Sequence, residues 1–155
     1  DALCSQIDLP STVLDMVGTT RQFDQSAGTS FKALLQGEDH QRSEVFFEQE
    51  ESRGVRTDQF SYWCRLPGAG PNALFDHQRD PLQTQNVAEQ PEYSHVVEEL
   101  HQKVTEFFRQ YSDSKYDIWK AGQAKGSISS ESFLAPLMPE GWTATTTSIN
   151  THRLT

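Results

Sequence analysis

The chain has 155 residues, enough for one ordinary domain and too few for two comfortable ones. Only 35% of them are hydrophobic and the mean hydropathy is −0.66, so the core is lean and part of the chain is expected to hug the surface or cover a partner. A formal net charge of −9 argues against nucleic acid, which demands a basic footprint, and no apolar run approaches the ~18 residues that a membrane span needs.

In chain order, "QIDLPSTVLDMVG" reads as a short helix. Asp8 suits the N-cap, Pro10 the first turn and Gly18 the C′ stop, with Ile7, Val13, Leu14 and Val17 sharing a face. "TSFKALLQG" is a second helical turn ending at Gly37. From residue 45 the period changes: "VFFEQE" and "GVRTDQFSYWCRL" are rich in β-branched and aromatic residues, and "ESR" with Gly54 between them predicts a hairpin. The second segment is read as one strand, with Phe60, Tyr62, Cys64 and Leu66 on one face, continued by Arg56 and Asp58. "PGAGPN" is a loop lacking the third glycine and following helix of a phosphate cradle. "ALF" adds a third short strand. From Pro91 to Tyr111, Val97, Leu100, Val104, Phe107 or Phe108, and Tyr111 recur at three- and four-residue steps, the stripe of an amphipathic helix. Beyond Tyr111 periodicity fades into a Ser/Thr- and Pro-rich stretch, expected to lie as an irregular tail over the domain or a neighbour. The expected fold class is α+β: a small antiparallel sheet of three to four strands packed against one long amphipathic helix.

No Gly-X-Ser-X-Gly elbow, His-Glu-X-X-His or Walker loop is present. Glu48, Glu50 and Glu51 cluster where the hairpin turns and read as a solvated face. His95 and His101, six residues apart on a helix, point to different sides and share no metal. Asp76-His77 is the tempting pair in "ALFDHQRDPLQTQNVAE". In an extended segment adjacent side chains diverge, so Asp76 is expected to accept backbone N–H bonds at the strand exit, with Asp80-Pro81 and Asn86 shaping the joint that follows. Cys4 and Cys64 are too few for a disulfide scaffold or zinc knuckle and read as small buried apolar residues, although pairing stays open.

Four pieces in this order resemble the C-terminal part of a type I sulfatase of the alkaline phosphatase superfamily. "IDLPSTVLDMVG" is similar to the helix that family writes as Val-Asp-Leu-X-Pro-Thr-Leu-Leu-Asp-Leu-Ala-Gly, and "GTSFKALLQGE" to the Gly-X-Ser-Leu-X-Pro-Leu-Leu-X-Gly after it. "VFFEQEESRGVRTDQFSYWCRL" resembles the strand pair carrying Ala-Val-Arg-Thr-X-X-Tyr-Lys-Tyr, and "ALFDHQRDPLQTQNVAE" the Glu-Leu-Tyr-Asp-Leu-X-X-Asp-Pro-X-Glu-X-X-Asn-Leu-Ala segment. "KYDIWKAGQAKG" is similar to the Tyr-Asp-Leu-Trp-X-Gly-Gly tail of some members. The agreement rests on Arg56-Thr57, Leu74, Asp76, Asp80-Pro81 and Asn86; Gln83 stands where Glu is usual, and Phe60-Ser61 replace Tyr-Lys.

The resemblance implies a C-terminal part of an enzyme that hydrolyses sulfate esters. Formylglycine, made from Cys or Ser in Cys/Ser-X-Pro/Ala-X-Arg, and Ca²⁺ are implied for the complete enzyme. Cys4 precedes "SQIDLP" and Cys64 precedes "RLPG", so neither lies in that motif, and no catalytic, cofactor or metal residue transfers to this chain. Residues 1–40 are expected to close the catalytic domain, 41–112 to form the C-terminal α+β subdomain and 113–155 the tail. The chain begins with Asp1, as expected of a processed product or fragment. Expected partners are the N-terminal catalytic portion of the same sulfatase and a sulfated small molecule or glycan, with homo-oligomerisation open and no nucleic acid or membrane. Lys115, Lys120 and Lys125, with Trp119 among them, form the one basic stretch and are candidate substrate-pocket contacts. The alternative is a stand-alone α+β binding or oligomerisation module without catalysis, and compartment stays open.

Overall fold

The structure is a computed structural model and describes residues 2–19, 25–39, 42–49, 51–115 and 117–120. Residues 1–112 make one compact unit and 113–155 a second.

Helix α1 runs Asp8–Met16. Gly18 ends it: at φ 74° its N–H reaches Asp15 O at 3.1 Å while Thr19 N–H reaches Leu14 O at 3.1 Å, satisfying the last carbonyls in a conformation that favours glycine. The start differs from the sequence expectation. Ile7 is the cap residue and makes no side-chain cap bond. Asp8 is instead the first helical residue, and its carboxylate accepts Ser5 N–H at 2.8 Å, Thr29 N–H at 2.9 Å and Arg42 Nη2 at 2.7 Å. A guanidinium and two loop amides are better partners for a charged oxygen than the helix's own first-turn amides.

The helix is also turned inside out. Asp8 and Thr12 are buried, whereas Leu9, Val13, Met16 and Val17 are 56, 50, 60 and 72% exposed. Thr12 Oγ1 donates to Asp8 O at 2.8 Å and accepts Phe31 N–H at 3.1 Å, so the polar side of α1 grips the segment leading into α2, Lys32–Leu35. Ser30 Oγ and Lys32 Nζ add bonds to Asp15 at 2.7 and 3.1 Å and hold its carboxyl below the usual carboxylate range, the Ser30 bond contributing most.

Four antiparallel strands follow as a meander: β1 Glu44–Gln49, β2 Ser52–Thr57, β3 Phe60–Arg65 and β4 Ala73–Asp76, in that spatial order. The hairpin expected at "ESR" with Gly54 is present but displaced: Ser52 already pairs with Gln49, so Ser52, Arg53 and Gly54 belong to β2. The single strand expected over 54–66 is not. Thr57 Oγ1 accepts Phe60 N–H at 2.9 Å and closes a turn across Asp58 and Gln59, a hydroxyl doing locally what a ladder bond would otherwise do. Arg56 therefore pairs with Ser61 and lies on the face opposite Tyr62, rather than continuing it.

The inner face is a row across the sheet, Phe46–Val55–Tyr62–Leu74, of which the last three have no exposed surface. Against it lies α3, Ser94–Tyr111, entered through a 3₁₀ turn at Pro91–Tyr93. Leu100, Val104 and Phe108, one residue per turn, face the sheet and are buried. Phe107 stacks on Phe46 with centroids 4.0 Å apart, and the Arg53 guanidinium sits 4.2 Å over the Phe108 ring while pairing with Glu48 at 2.8 Å. Each fully buried aliphatic in this layer stabilises the fold by about 1.5–3 kcal/mol. The outer edge of β4 is covered: Val87 N–H bonds Leu74 O at 2.9 Å and Asn86 Oδ1 accepts Leu74 N–H at 2.9 Å.

Candidate functional site

Asp76 and His77 diverge onto opposite faces of the sheet. Asp76 is buried on the helix side, where it accepts Gln78 N–H at 3.0 Å and the Tyr93 hydroxyl at 3.1 Å. Arg79 Nη1 donates to that same hydroxyl at 2.9 Å, and burial, followed by the Asp76 bond, pushes the Tyr93 phenol up. His77 meets Ser61 Oγ at 2.9 Å through Nε2. This is the nearest approach to a nucleophile–base pair among the described residues. Ser61 is buried, and no described group bonds the other imidazole nitrogen, so the contact is a clamp between β3 and the end of β4. It depends on cross-strand register, which composition does not report. Downstream, Asp80 accepts Gln85 N–H at 2.8 Å and is held below the usual carboxylate range chiefly by that bond. Asn86 accepts from Leu74 and Ala88 amides, completing a joint built of side-chain-to-backbone bonds.

His95 is exposed, while His101 Nδ1 lies 3.1 Å from the Tyr62 hydroxyl, which also accepts from Asn72 Nδ2 at 3.3 Å. Burial pushes the Tyr62 phenol up to about 12. No group of three or more His, Cys, Asp or Glu among the described residues could hold a metal ion. Both cysteines are free: Cys64 is buried, its thiol pushed up by desolvation, but Cys4 is exposed, correcting the expectation of two buried thiols. The described residues do not fit Ca²⁺, and neither cysteine lies in the formylglycine motif.

In the second unit, Asp117 organises a 3₁₀ turn over Ile118–Lys120. It accepts Trp119 N–H at 2.9 Å through its carboxylate and Lys120 N–H at 2.9 Å through its carbonyl, and Lys120 Nζ stands 3.9 Å from the same carboxylate. Trp119 and Lys120 therefore share one turn, with Trp119 half-buried and Lys120 exposed. Lys115 is exposed and bonds Asp113 Oδ1 through its amide at 3.0 Å. Lys125 lies outside the described residues.

A further surface of the first unit is the outer face of the sheet, where Arg56 lies beside Ser61 rather than on the Tyr62 side expected from the sequence. Phe47, Trp63 and Phe75 run across it as edge-on neighbours, with centroids 5.9 and 5.1 Å apart and planes at 74° and 72°. Gly54 lies beneath Phe47; a Cβ there would meet that ring and come within 2.5 Å of Tyr62 O. The face encloses an open concavity of about 690 Å³, with Val45, Phe47 and Trp63 as its apolar lining, Arg56 and Arg65 as its cations and Glu51 as its one anion.

The family model of the N-sulphoglucosamine sulphohydrolase C-terminal region matches residues 1–110. Among solved structures, a Bacteroides thetaiotaomicron protein described as a sulfatase and a 2-O GAG sulfatase are each 27% identical to the chain. Both have a TM-score of 0.57, with 69% of this chain covered and 25% of theirs. The phosphonate monoester hydrolase of Agrobacterium radiobacter, 22% identical at a TM-score of 0.52 over 69% of this chain and 25% of its own, shares the fold. The chain thus spans about a quarter of the length of these structures. No protein with a curated description matches it.

Proposed function

The chain belongs to the N-sulphoglucosamine sulphohydrolase C-terminal family, and from that premise we propose that it is the C-terminal part of a polypeptide that hydrolyses sulfate esters, buttressing a catalytic portion that precedes it. The family match over residues 1–110 carries this reading. The inverted helix α1 supports it, because four large apolar side chains turned outward on one short helix are what an element shared with a larger core presents. On this reading residues 1–40 close the catalytic domain, 41–112 form the C-terminal subdomain and 113–155 the tail.

Formylglycine and Ca²⁺ are assigned on this reading to the preceding portion: neither Cys4 nor Cys64 lies in a Cys/Ser-X-Pro/Ala-X-Arg motif, and no cluster among the described residues could hold a metal ion. A sulfated glycan is the favoured substrate class, in keeping with the family's description and with the 2-O GAG sulfatase among its structural relatives. Lys115, Trp119, Lys120 and Lys125 are proposed to contribute to the wall of the substrate pocket, two of them carried on the turn that Asp117 organises. The test is sulfate release from an aryl sulfate and from a sulfated glucosamine saccharide. The complete polypeptide is expected to release sulfate and residues 1–155 alone to release none. Turnover by 1–155 alone, or a preceding region without a Cys/Ser-X-Pro/Ala-X-Arg motif, would overturn the assignment.

A further inference from the structure

On the reading that a catalytic portion precedes this chain, we propose that the outer face of the four-stranded sheet is its docking surface, and that the occupant is a helix of that portion bearing an apolar ridge and two carboxylates, which pair with Arg56 and Arg65.

Charge singles out the two arginines. Lys32, Arg42, Arg53, Arg79, Lys103, Arg109 and Lys120 each lie within 4.0 Å of a carboxylate. Arg56 and Arg65 make no ion pair among the described residues, although Glu51 lines the same concavity and the chain carries 22 acidic residues against 13 basic ones. Both belong to the row Ser61, Trp63, Arg65 and its cross-strand neighbour Arg56, so they flank Trp63 on one face. Four residues of strand separate the level of Arg56 from that of Arg65, about 13 Å at 3.3 Å per residue. Carboxylates two turns apart on a helix are about 11 Å apart, a match within the reach of a guanidinium.

The apolar part of the face requires a cover. A solvated sheet face alternates to polar residues, yet here Val45, Phe47, Trp63 and Phe75 stay half-buried on the side away from α3. Sheets bury such a face under helices, and about three quarters of the length of the related structures lies outside this chain. A second copy of the chain is a poor occupant, because a two-fold contact would set the same arginines against one another. A sugar is a poor one too. Successive rings meet edge-on at 74° and 72°, leaving no coplanar platform for a pyranose to lie on.

The experiment uses the intact polypeptide and phenylglyoxal, with modified arginines mapped by mass spectrometry. Arg79, whose side chain is 71% exposed, is the internal reference. Arg56 and Arg65 are expected to react about tenfold or more slowly than Arg79, the factor that 1.4 kcal/mol of docking energy gives. Hydroxyl-radical oxidation of Trp63 should be slow in the same sample, and Arg56→Gln with Arg65→Gln should raise it by a similar factor. The arginine map of the unsubstituted protein stands even if that variant misfolds. Reaction of Arg56 and Arg65 as fast as Arg79 overturns the proposal, and so does protection that arises only when a sulfated oligosaccharide is added, which reassigns the face to a glycan. Sulfate release is measured separately on the same protein. Its absence defeats the sulfatase reading and leaves the protection pattern to be judged alone.

Discussion

Replacing Asp8 by alanine should be the most damaging single change in the first forty residues. The Asp8 side chain is fully buried and that of its partner Arg42 is 12% exposed. Truncation strands a guanidinium that is mostly out of water, and breaking such a pair from one side costs about 3–5 kcal/mol. Two backbone donors, Ser5 N–H and Thr29 N–H, lose their acceptor as well. Thr29 is exposed and Ser5 only half-buried, so water can replace the carboxylate there, and the sum stays within that range rather than rising by the ~1–3 kcal/mol that each dry orphan would add. Arg42→Ala should be milder, because the Asp8 carboxylate keeps both amides. The double variant should recover about 1–3 kcal/mol relative to the sum of the singles, as expected of residues in direct contact. Urea denaturation of the four proteins of the cycle, followed by far-ultraviolet circular dichroism, measures these terms. A loss below about 1 kcal/mol for Asp8→Ala, or strict additivity, would refute a buried carboxylate that ties the start of α1 to residues 29 and 42.

Three further outcomes are expected. Gly54→Ala should destabilise by about 1–3 kcal/mol in denaturant titration, since the added methyl meets both the Phe47 ring and the Tyr62 carbonyl and the latter is backbone. Tyr62 has a folded-state pKa raised from 10.0 to about 12 by burial, so its contribution is complete below pH 10 and falls as pH rises to 12, at about 1.4 kcal/mol per pH unit; tyrosinate absorbance should show a late phase that Tyr62→Phe diminishes, leaving the part due to Tyr93, whose phenol is also pushed up. A thiol reagent should titrate one cysteine rapidly, the exposed Cys4, and the buried Cys64 only on unfolding; two fast thiols would contradict the packing of β3 against α3.

The sheet-and-helix fold was legible because its signals are local. Leu100, Val104 and Phe108 repeat at one residue per turn, and Tyr62 and Cys64, two residues apart, mark the helix-facing side of β3, although Ser61 on the other side is buried as well. The break between β2 and β3 was not legible. It depends on one threonine hydroxyl reaching Phe60 N–H, and "RTDQF" contains neither glycine nor proline to mark a turn. That omission moved Arg56 to the wrong face. Helix α1 misled differently. Its apolar positions are correctly periodic, but periodicity says which residues share a side and not whether that side meets this chain or another. The family resemblance, resting on the order of four segments, carried further than any single residue, because Asp76, Asp80 and Asn86 each show only bonds that hold the joint after β4.

The bonds that Asn86 and Val87 make to Leu74 have a consequence for assembly. They occupy the amide and carbonyl that a fifth strand would need beside β4, so the ladder is sealed at that rim and growth by strand addition there would first have to expel the loop. Any association of these molecules that extended the ladder would have to start at the opposite rim, on β1, where Glu44 and Glu48 are already paired with Lys103 and Arg53.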